Sequence, residues 1–126
     1  MFSHIMVGTN DMDKSKTFYD AILGSLGCDP GVIDDAGRCF YFTPTGIFSI
    51  SVPIDGEAAS AGNGSTTGFA VDNSAAAEAW HATGLANGGT DCEDPPGLRE
   101  GAAGKLYLAY LRDPTGNKLC ALHRVA

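Results

Sequence analysis

The chain has 126 residues, a net charge of −7 and a sequence pI of about 4.6. This length is enough for one domain with a sizeable core but not for two independent domains. With 44% hydrophobic and 18% charged residues, the composition is typical of a globular protein and excludes a disordered chain. The acidity and the lack of a basic stripe disfavour nucleic-acid and anionic-membrane partners.

No apolar run approaches the roughly 20 residues that a membrane span needs, and the first residues do not read as a secretory signal. The four cysteines are scattered along the chain and contain no CxxC pair, which is typical of free thiols in a reducing compartment. They are Cys28, Cys39, Cys92 and Cys120. We therefore expect a cytoplasmic protein with neither a membrane nor a nucleic-acid partner.

The first half of the chain predicts one strand, one helix and three further strands. Residues 2–8 alternate between two faces and predict a strand, and residues 9–11 supply N-cap chemistry for an amphipathic helix over residues 14–26. Two turn signals flank a brief strand at residues 32–33. Residues 38–43 and 47–52 predict a hairpin around a Pro-Thr-Gly turn. The first unit is therefore βαβββ.

The same pattern restarts after a Gly-, Ala- and Ser-rich linker at residues 54–64. A strand at residues 65–71 is followed by a capping sequence at 72–74 and a helix at 75–86. The extended stretch at residues 90–100 is interrupted by Pro95 and Pro96, so it predicts a frayed strand and a loop. The last two strands are predicted at residues 105–112 and 117–123.

Both halves contain a Pro-Thr-Gly turn after an aromatic-rich strand, at residues 44–46 and 114–116. The sequence therefore predicts one α+β domain of two βαβββ repeats, about 1–53 and 65–126, whose curled mixed sheets surround a cleft. Concave, partly apolar clefts of this kind bind small molecules. Exposed sheet edges and helix faces on so short a chain predict a homodimer.

Four stretches carry a family resemblance. They are residues 4–7 in the first strand, residues 13–19 with Leu23 and Gly24 in the first helix, residues 68–72, and the Asp-Pro-Thr-Gly-Asn motif at 113–117. On these stretches the sequence resembles the vicinal oxygen chelate superfamily, which includes glyoxalase I, bleomycin- and fosfomycin-resistance proteins and extradiol dioxygenases. The resemblance covers nearly the whole chain and implies the two-repeat fold.

The resemblance also assigns metal-ligand positions, which in metal-using members are typically His and Glu on the first and last strands. His4 matches the first-strand position, whereas Thr66 stands where the pattern has His and Cys120 where it has Glu. The equivalent position of the first unit falls at residues 49–51. One imidazole and one thiol are too few for a Zn²⁺ site and too soft for Mg²⁺, Mn²⁺ or Ni²⁺. We therefore expect a degenerate metal site and no resident cofactor, with a divalent metal at His4 as the alternative.

Two interpretations stay open for each of the candidate catalytic residues, Cys120 and His4. Cys120 is either a nucleophile, whose pKa a neighbour such as His4 would lower, or a small apolar replacement for the lost Glu. His4 is either a structural remnant or a residue that contacts a ligand or metal.

Four further residues are candidate ligand contacts: Arg99, Tyr41, Tyr107 and Thr66. Arg99 lies in a loop that rims the cavity in the resembled fold, where it would either grip a carboxylate or phosphate or pair with Glu93 or Glu100. Tyr41 and Tyr107 are approximately equivalent in the repeat, and each lies either in the core or along the cleft.

Two functions follow from these expectations. The first is a glyoxalase/bleomycin-resistance-like protein that binds a small molecule in the βαβββ cleft without turnover. The alternative is a metal-dependent lyase, isomerase or dioxygenase that acts on a small oxygenated substrate through His4 and ligands outside the motif positions.

Overall fold

The computed structural model describes residues 1–125, which form two mixed sheets and two helices. In chain order the elements are β1 His4–Gly8, α1 Met12–Gly24, β2 Val32–Ile33, β3 Cys39–Thr43, β4 Gly46–Ser51, β5 Thr67–Ala70, α2 Ser74–Ala86, β6 Thr90–Asp91, β7 Gly97–Gly101, β8 Gly104–Arg112 and β9 Lys118–Arg124. This order confirms the predicted α+β class and its two repeats.

The two sheets have the same connectivity. In the first, the strand order is β1-β4-β3-β2, with β1 parallel to β4 and the other pairs antiparallel. In the second, the order is β5-β9-β8-β6, with β5 parallel to β9 and with β7 also paired to β8. Each unit therefore places its first strand beside its last, and β1 and β5 are edge strands of their sheets.

The second unit differs from the prediction in its second strand. The stretch at residues 90–100 forms two short strands, β6 and β7, which pair with different parts of β8. Pro95 and Pro96 lie between them and have no N–H to donate to the ladder, so the strand cannot run through. The second sheet therefore has five strands instead of four.

Both helices begin at the predicted kind of cap. The side chain of Asp11 accepts a hydrogen bond from the Lys14 N–H at 3.1 Å, and Asn73 caps α2 in the same way. Helix α1 runs from Met12 to Gly24 instead of 14–26, and its buried face includes Phe18, Tyr19, Ile22 and Leu23. Within residues 1–125 no helix is long and apolar enough to cross a bilayer.

The two units share one aromatic core. The ring of Phe48 in β4 lies 4.7 Å from Tyr19 in α1 and 5.3 Å from Phe69 in β5. Phe69 in turn lies 6.4 Å from Trp80, which is fully buried in α2. Aromatic pairs of this kind add about 0.5–1.5 kcal/mol each to the burial of their surface. The core therefore runs continuously from one repeat to the other.

A second link between the units is the buried carboxylate of Asp113, in the turn between β8 and β9. Its Oδ1 accepts hydrogen bonds from the backbone N–H groups of Thr115, Gly116 and Asn117, each at 2.9 Å. Its Oδ2 accepts from the Tyr19 hydroxyl in α1 at 2.6 Å and from the Asn117 amide at 2.8 Å. Burial and the charge of Asp113 raise the pKa of Tyr19 well above its usual value, so the hydroxyl remains a donor.

The first unit repeats this turn with Thr43 in place of Asp113. The Thr43 hydroxyl accepts from the N–H groups of Thr45 and Gly46 at 3.3 and 3.1 Å. At Gly116 φ is 103°, a left-handed conformation that glycine adopts without a steric penalty. The two Pro-Thr-Gly turns are therefore similar in hydrogen bonding as well as in sequence, because a side-chain oxygen accepts backbone N–H groups in each of them.

The connection between the units is anchored. The side chain of Asn10 exchanges two hydrogen bonds with the backbone of Ala59, at 2.7 and 3.3 Å. Ala59 also packs so closely on Gly8 that a Cβ added there would lie 2.9 Å from the Ala59 Cβ. The glycine- and serine-rich composition predicts a flexible linker at residues 54–64, but these contacts fix its middle to the end of β1.

Candidate functional site

A cavity of about 510 Å³ lies between the edge strands β1 and β5, which we call the β1–β5 cavity. Its apolar lining comes from both units and includes Ile5, Leu23, Leu26, Phe48 and Phe69. Hydroxyl or imidazole groups are contributed by Ser3, His4, Thr43, Thr45 and Thr67. The volume lies within the roughly 300–1,000 Å³ that small-molecule pockets span.

The cavity lies where it does because β1 and β5, the first strands of the two units, are edge strands of their sheets. Each pairs on one side with the last strand of its own unit, so the opposite sides face the cavity without a partner strand between them. Gly68 in β5 lines the cavity, and a Cβ added there would meet no heavy atom within 4 Å. A glycine in a strand interior often marks such a close approach of backbone and ligand.

His4 is the predicted site residue that lines this cavity. It pairs in register with Ile47, while its neighbour Ile5 pairs with the core residue Phe48. Because side chains alternate along a strand, His4 points to the face of the first sheet that lies away from the core. It is exposed, and its Nδ1 lies 2.7 Å from the Ser3 hydroxyl.

Cys120 lies on the corresponding face of the second sheet. Its neighbours Leu119 and Ala121 are in the core, so alternation turns the thiol to the opposite face. It pairs in register with Gly68 on one side and with Tyr110 on the other. Gly68 lines the β1–β5 cavity, whereas Cys120 and Tyr110 are not among the described residues that line it.

The environment of Cys120 does not favour a thiolate. Burial raises the pKa of the thiol, and the negative charge of Glu93 acts in the same direction. A hydrogen bond with Tyr110 and the charge of Lys118 oppose these effects without reversing them. His4 is not among the described residues that shift the pKa of this thiol. The lowered pKa that a cysteine nucleophile needs is therefore not found.

The two candidate tyrosines occupy different environments. Tyr41 is fully buried, and its hydroxyl donates to Asp20 in α1 at 2.8 Å, so it belongs to the core and not to the cleft. Burial and this hydrogen bond raise its pKa. Tyr107 packs at the margin of the core, and its hydroxyl donates to the Glu78 carboxylate of α2. Neither hydroxyl is directed at the β1–β5 cavity.

Arg99 and Thr66 also lie outside the cavity lining. The Arg99 guanidinium donates to the carbonyl oxygens of Pro95 at 2.7 Å and Leu98 at 3.2 Å, so it braces its own loop. The acids expected to pair with it bind lysines instead, Glu93 with Lys118 and Glu100 with Lys105. Thr66 is exposed immediately before β5, and it is the next residue, Thr67, that lines the cavity.

The side chains present do not form a resident metal site. Within residues 1–125 no three His, Cys, Asp or Glu side chains converge closely enough to hold an ion. Zinc sites use at least three protein ligands, and a hard cation needs several oxygen ligands. The donor set around His4 therefore does not fit the divalent metal that the resemblance suggested as an alternative.

Sequence reasoning missed the residues that shape the cavity most. Phe69 and Gly68 contribute its β5 wall, and Leu23 contributes from the end of α1. A glycine inside a predicted strand was the available signal at residue 68. No Asp, Glu, Lys or Arg side chain is among the described residues that line the cavity, so it is suited to a neutral, largely apolar molecule.

Comparison with known proteins agrees with the fold. The model of the Glyoxalase/Bleomycin resistance protein/Dioxygenase superfamily matches residues 1–121. A glyoxalase/bleomycin resistance protein from Albidiferax ferrireducens T118 is 62% identical, with a TM-score of 0.95 over 98% of this chain and 99% of that one. A search of curated proteins gave no significant match.

More distant structures share the fold alone. A glyoxalase-related enzyme from Fulvimarina pelagi is 16% identical with a TM-score of 0.74, covering 98% of this chain and 88% of the other. A lactoylglutathione lyase from Agrobacterium tumefaciens is 20% identical with a TM-score of 0.65, covering 98% and 92%. From the family match and the 62% identical structure together, the chain belongs to the glyoxalase/bleomycin resistance protein/dioxygenase superfamily.

Proposed function

We propose that this protein binds a small, neutral and largely apolar molecule in the β1–β5 cavity and does not turn it over with a metal. The observation that carries the proposal is the cavity itself, about 510 Å³ between two unpaired strand edges. Aromatic rings of Phe48 and Phe69 would contact the apolar part of the ligand. Ser3, His4 and Thr67 would supply the few hydrogen bonds that fix its orientation.

A catalytic role for Cys120 and His4 receives less support than binding. The Cys120 thiol is buried with a raised pKa, and His4 is exposed on the other sheet. A binding protein needs neither a thiolate nor a metal, because burial of apolar surface alone contributes roughly 25 cal/mol per Å². In this proposal His4 is a ligand contact, and Cys120 is a small residue that fills the place of a carboxylate.

Replacing Gly68 with leucine tests the proposal because Gly68 lines the cavity and an added Cβ there would meet no heavy atom within 4 Å, so the larger side chain would fit at the cavity wall. The probe is N-phenyl-1-naphthylamine, a neutral aromatic dye whose fluorescence rises in an apolar environment. We expect saturable binding to the unmodified protein and a loss of affinity of about tenfold or more in Gly68→Leu, since the space for the ring is filled.

The matched control is Gly101→Leu, at an exposed glycine of β7 where an added Cβ also meets no heavy atom within 4 Å. Its affinity for the dye should stay within about twofold of the unmodified protein. Equal affinities in the two variants would place dye binding elsewhere and reject the cavity as the binding site.

Metal analysis separates this proposal from the metal-dependent alternative. Protein purified without a chelator or an affinity tag should contain no stoichiometric divalent metal by elemental analysis. Titration with Ni²⁺, Mn²⁺, Fe²⁺ and Zn²⁺ should leave its melting temperature unchanged apart from nonspecific effects. A stoichiometric metal that disappears in His4→Ala would overturn the degenerate-site proposal and favour a lyase, isomerase or dioxygenase.

We also propose that two copies pair through the face of the first sheet that lies away from the helices. This face exposes Phe42 by 61%, Val32 by 56% and Met6 by 42%, and the Phe42 ring stacks on Phe40 at 6.1 Å. The pairing register places all four side chains on the same face. Contiguous exposed apolar surface of this kind is typical of interaction sites on soluble proteins.

A further inference from the structure

We propose that a hollow between the linker and the end of the β8–β9 hairpin binds a small tetrahedral oxyanion of the phosphate or sulfate type. The hollow has a volume of about 470 Å³. One wall is formed by residues 60–65 of the linker, and the other by Arg112 and Lys118. No residue of this hollow is among those that line the β1–β5 cavity, so the two sites are separate.

The two cations are placed together by strand pairing. Arg112 and Lys118 are directly opposite each other in the β8–β9 ladder, so their side chains project from the same face. Like charges in this position repel each other, and an anion between them would convert that repulsion into attraction. They are two of only eight Lys and Arg residues in a chain of net charge −7.

Arg112 keeps most of its hydrogen-bonding capacity for a ligand. Its Nη1 donates to the Gly116 carbonyl at 2.8 Å, which holds the side chain at the turn. A guanidinium has five N–H donors in a planar fork, a geometry that matches the oxygens of a phosphate. Arg112 is exposed, and no acidic partner within 4 Å is found for it among the described residues.

Lys118 is the second cation and is partly neutralised. Its ammonium pairs with Glu93 and lies 5.1 Å above the Tyr110 ring. Glu93 adopts a φ of 57°, a left-handed conformation that costs a non-glycine residue energy, so the loop is strained where it presents this carboxylate. Glu93 therefore limits the positive charge of the hollow and competes with an incoming anion.

The linker wall supplies donors without bulky side chains. Gly62 and Gly64 have φ values of 73° and 97°, and a left-handed residue of this kind is one component of the backbone concavities that accept anions. The Ser65 N–H is used by the Gly62 carbonyl at 3.1 Å. The N–H groups of Asn63 and Gly64 have no acceptor among residues 1–125 and would be available to oxyanion oxygens.

The test is a titration of the ¹⁵N-labelled protein with inorganic phosphate at constant ionic strength, followed by NMR. We expect saturable shifts of the Gly62, Asn63 and Gly64 amide signals in the millimolar range. Arg112→Gln should weaken binding about tenfold, because it removes a charge-assisted contact. Glu93→Gln should strengthen binding several-fold, because it removes the competing carboxylate.

The matched control is Arg124→Gln. Arg124 lies on β9, the strand paired with that of Arg112, is exposed and also donates to one backbone carbonyl, that of Ala103 at 2.7 Å, but it lies at the far end of the sheet. Its loss changes the net charge by the same amount and should leave phosphate affinity within about twofold. Equal weakening by both arginine variants, or shifts that do not saturate, would overturn the proposal.

A parallel titration with phenyl phosphate distinguishes the source of the anion. Tighter binding than inorganic phosphate would indicate that the hollow takes the phosphate end of a larger molecule. Equal affinity would indicate a free oxyanion. In both cases Arg112→Gln must weaken binding more than Arg124→Gln does. Because the hollow and the β1–β5 cavity have separate residues, Gly68→Leu should leave phosphate binding unchanged.

Discussion

Replacing Asp113 with alanine is expected to lower the free energy of unfolding by about 3–5 kcal/mol, the range found when one partner of a buried charged network is removed. The carboxylate accepts five hydrogen bonds, three of them from backbone N–H groups of its own turn. Its loss would also leave the Tyr19 hydroxyl buried without an acceptor. Urea denaturation followed by circular dichroism at neutral pH measures the change.

Two further substitutions calibrate this result. Asp113→Asn keeps an oxygen for the backbone donors but places an amide against the Asn117 amide. It should therefore lower the free energy of unfolding by less than Asp113→Ala does. Asp35→Ala removes an exposed carboxylate in a turn of the first unit and should change stability by no more than about 0.5 kcal/mol. A loss below about 1 kcal/mol for Asp113→Ala would show that the network does not join the units.

Phe42→Glu is expected to convert the proposed dimer to a monomer. The substitution places a charge in the centre of the apolar face and leaves it buried without a partner if the dimer forms, which is strongly unfavourable. Light scattering coupled to size-exclusion chromatography should show a mass near twice 13.0 kDa for the unmodified protein and near 13.0 kDa for the variant. The fold should persist, because Phe42 is 61% exposed in the single chain.

The control is Leu98→Glu, at a side chain of β7 that is also more than half exposed. Leu98 pairs in register with Tyr107, which packs against the core, so it does not share the face that carries Phe42. It should leave the mass unchanged. A strict 13.0 kDa mass for the unmodified protein would reject the dimer, and dissociation by Leu98→Glu alone would place the interface elsewhere.

The fold could be predicted because its signals are local in the chain. Alternation of side chains, N-cap residues and the Pro-Thr-Gly turns each act over a few residues, and they recur in the same order in both halves. At residues 90–100 the sequence predicted one frayed strand and a loop, whereas the structure has two short strands, β6 and β7, separated by Pro95 and Pro96. Helix α1 was displaced by two residues at each end, as cap positions fray easily.

The site was harder to predict because burial depends on contacts between distant residues. Tyr41 and Tyr107 have similar places in the repeat, yet Tyr41 is fully buried against Asp20 while Tyr107 binds Glu78 near the surface. Arg99 was expected to face either a ligand or an acid and instead donates to its own loop. Which of these partners a side chain finds depends on the packing of helices against sheets.

The sequence by itself determined the class of fold and the duplication, which depend on residue type and spacing. The resemblance implied in addition that Thr66 and Cys120 stand where the family motif has His and Glu. The tertiary structure decided where a ligand could enter. The β1–β5 cavity exists because two strands separated by about sixty residues in the chain both line it without pairing with each other. Their relative placement is set by the shared aromatic core and by Asp113, and no local pattern encodes it.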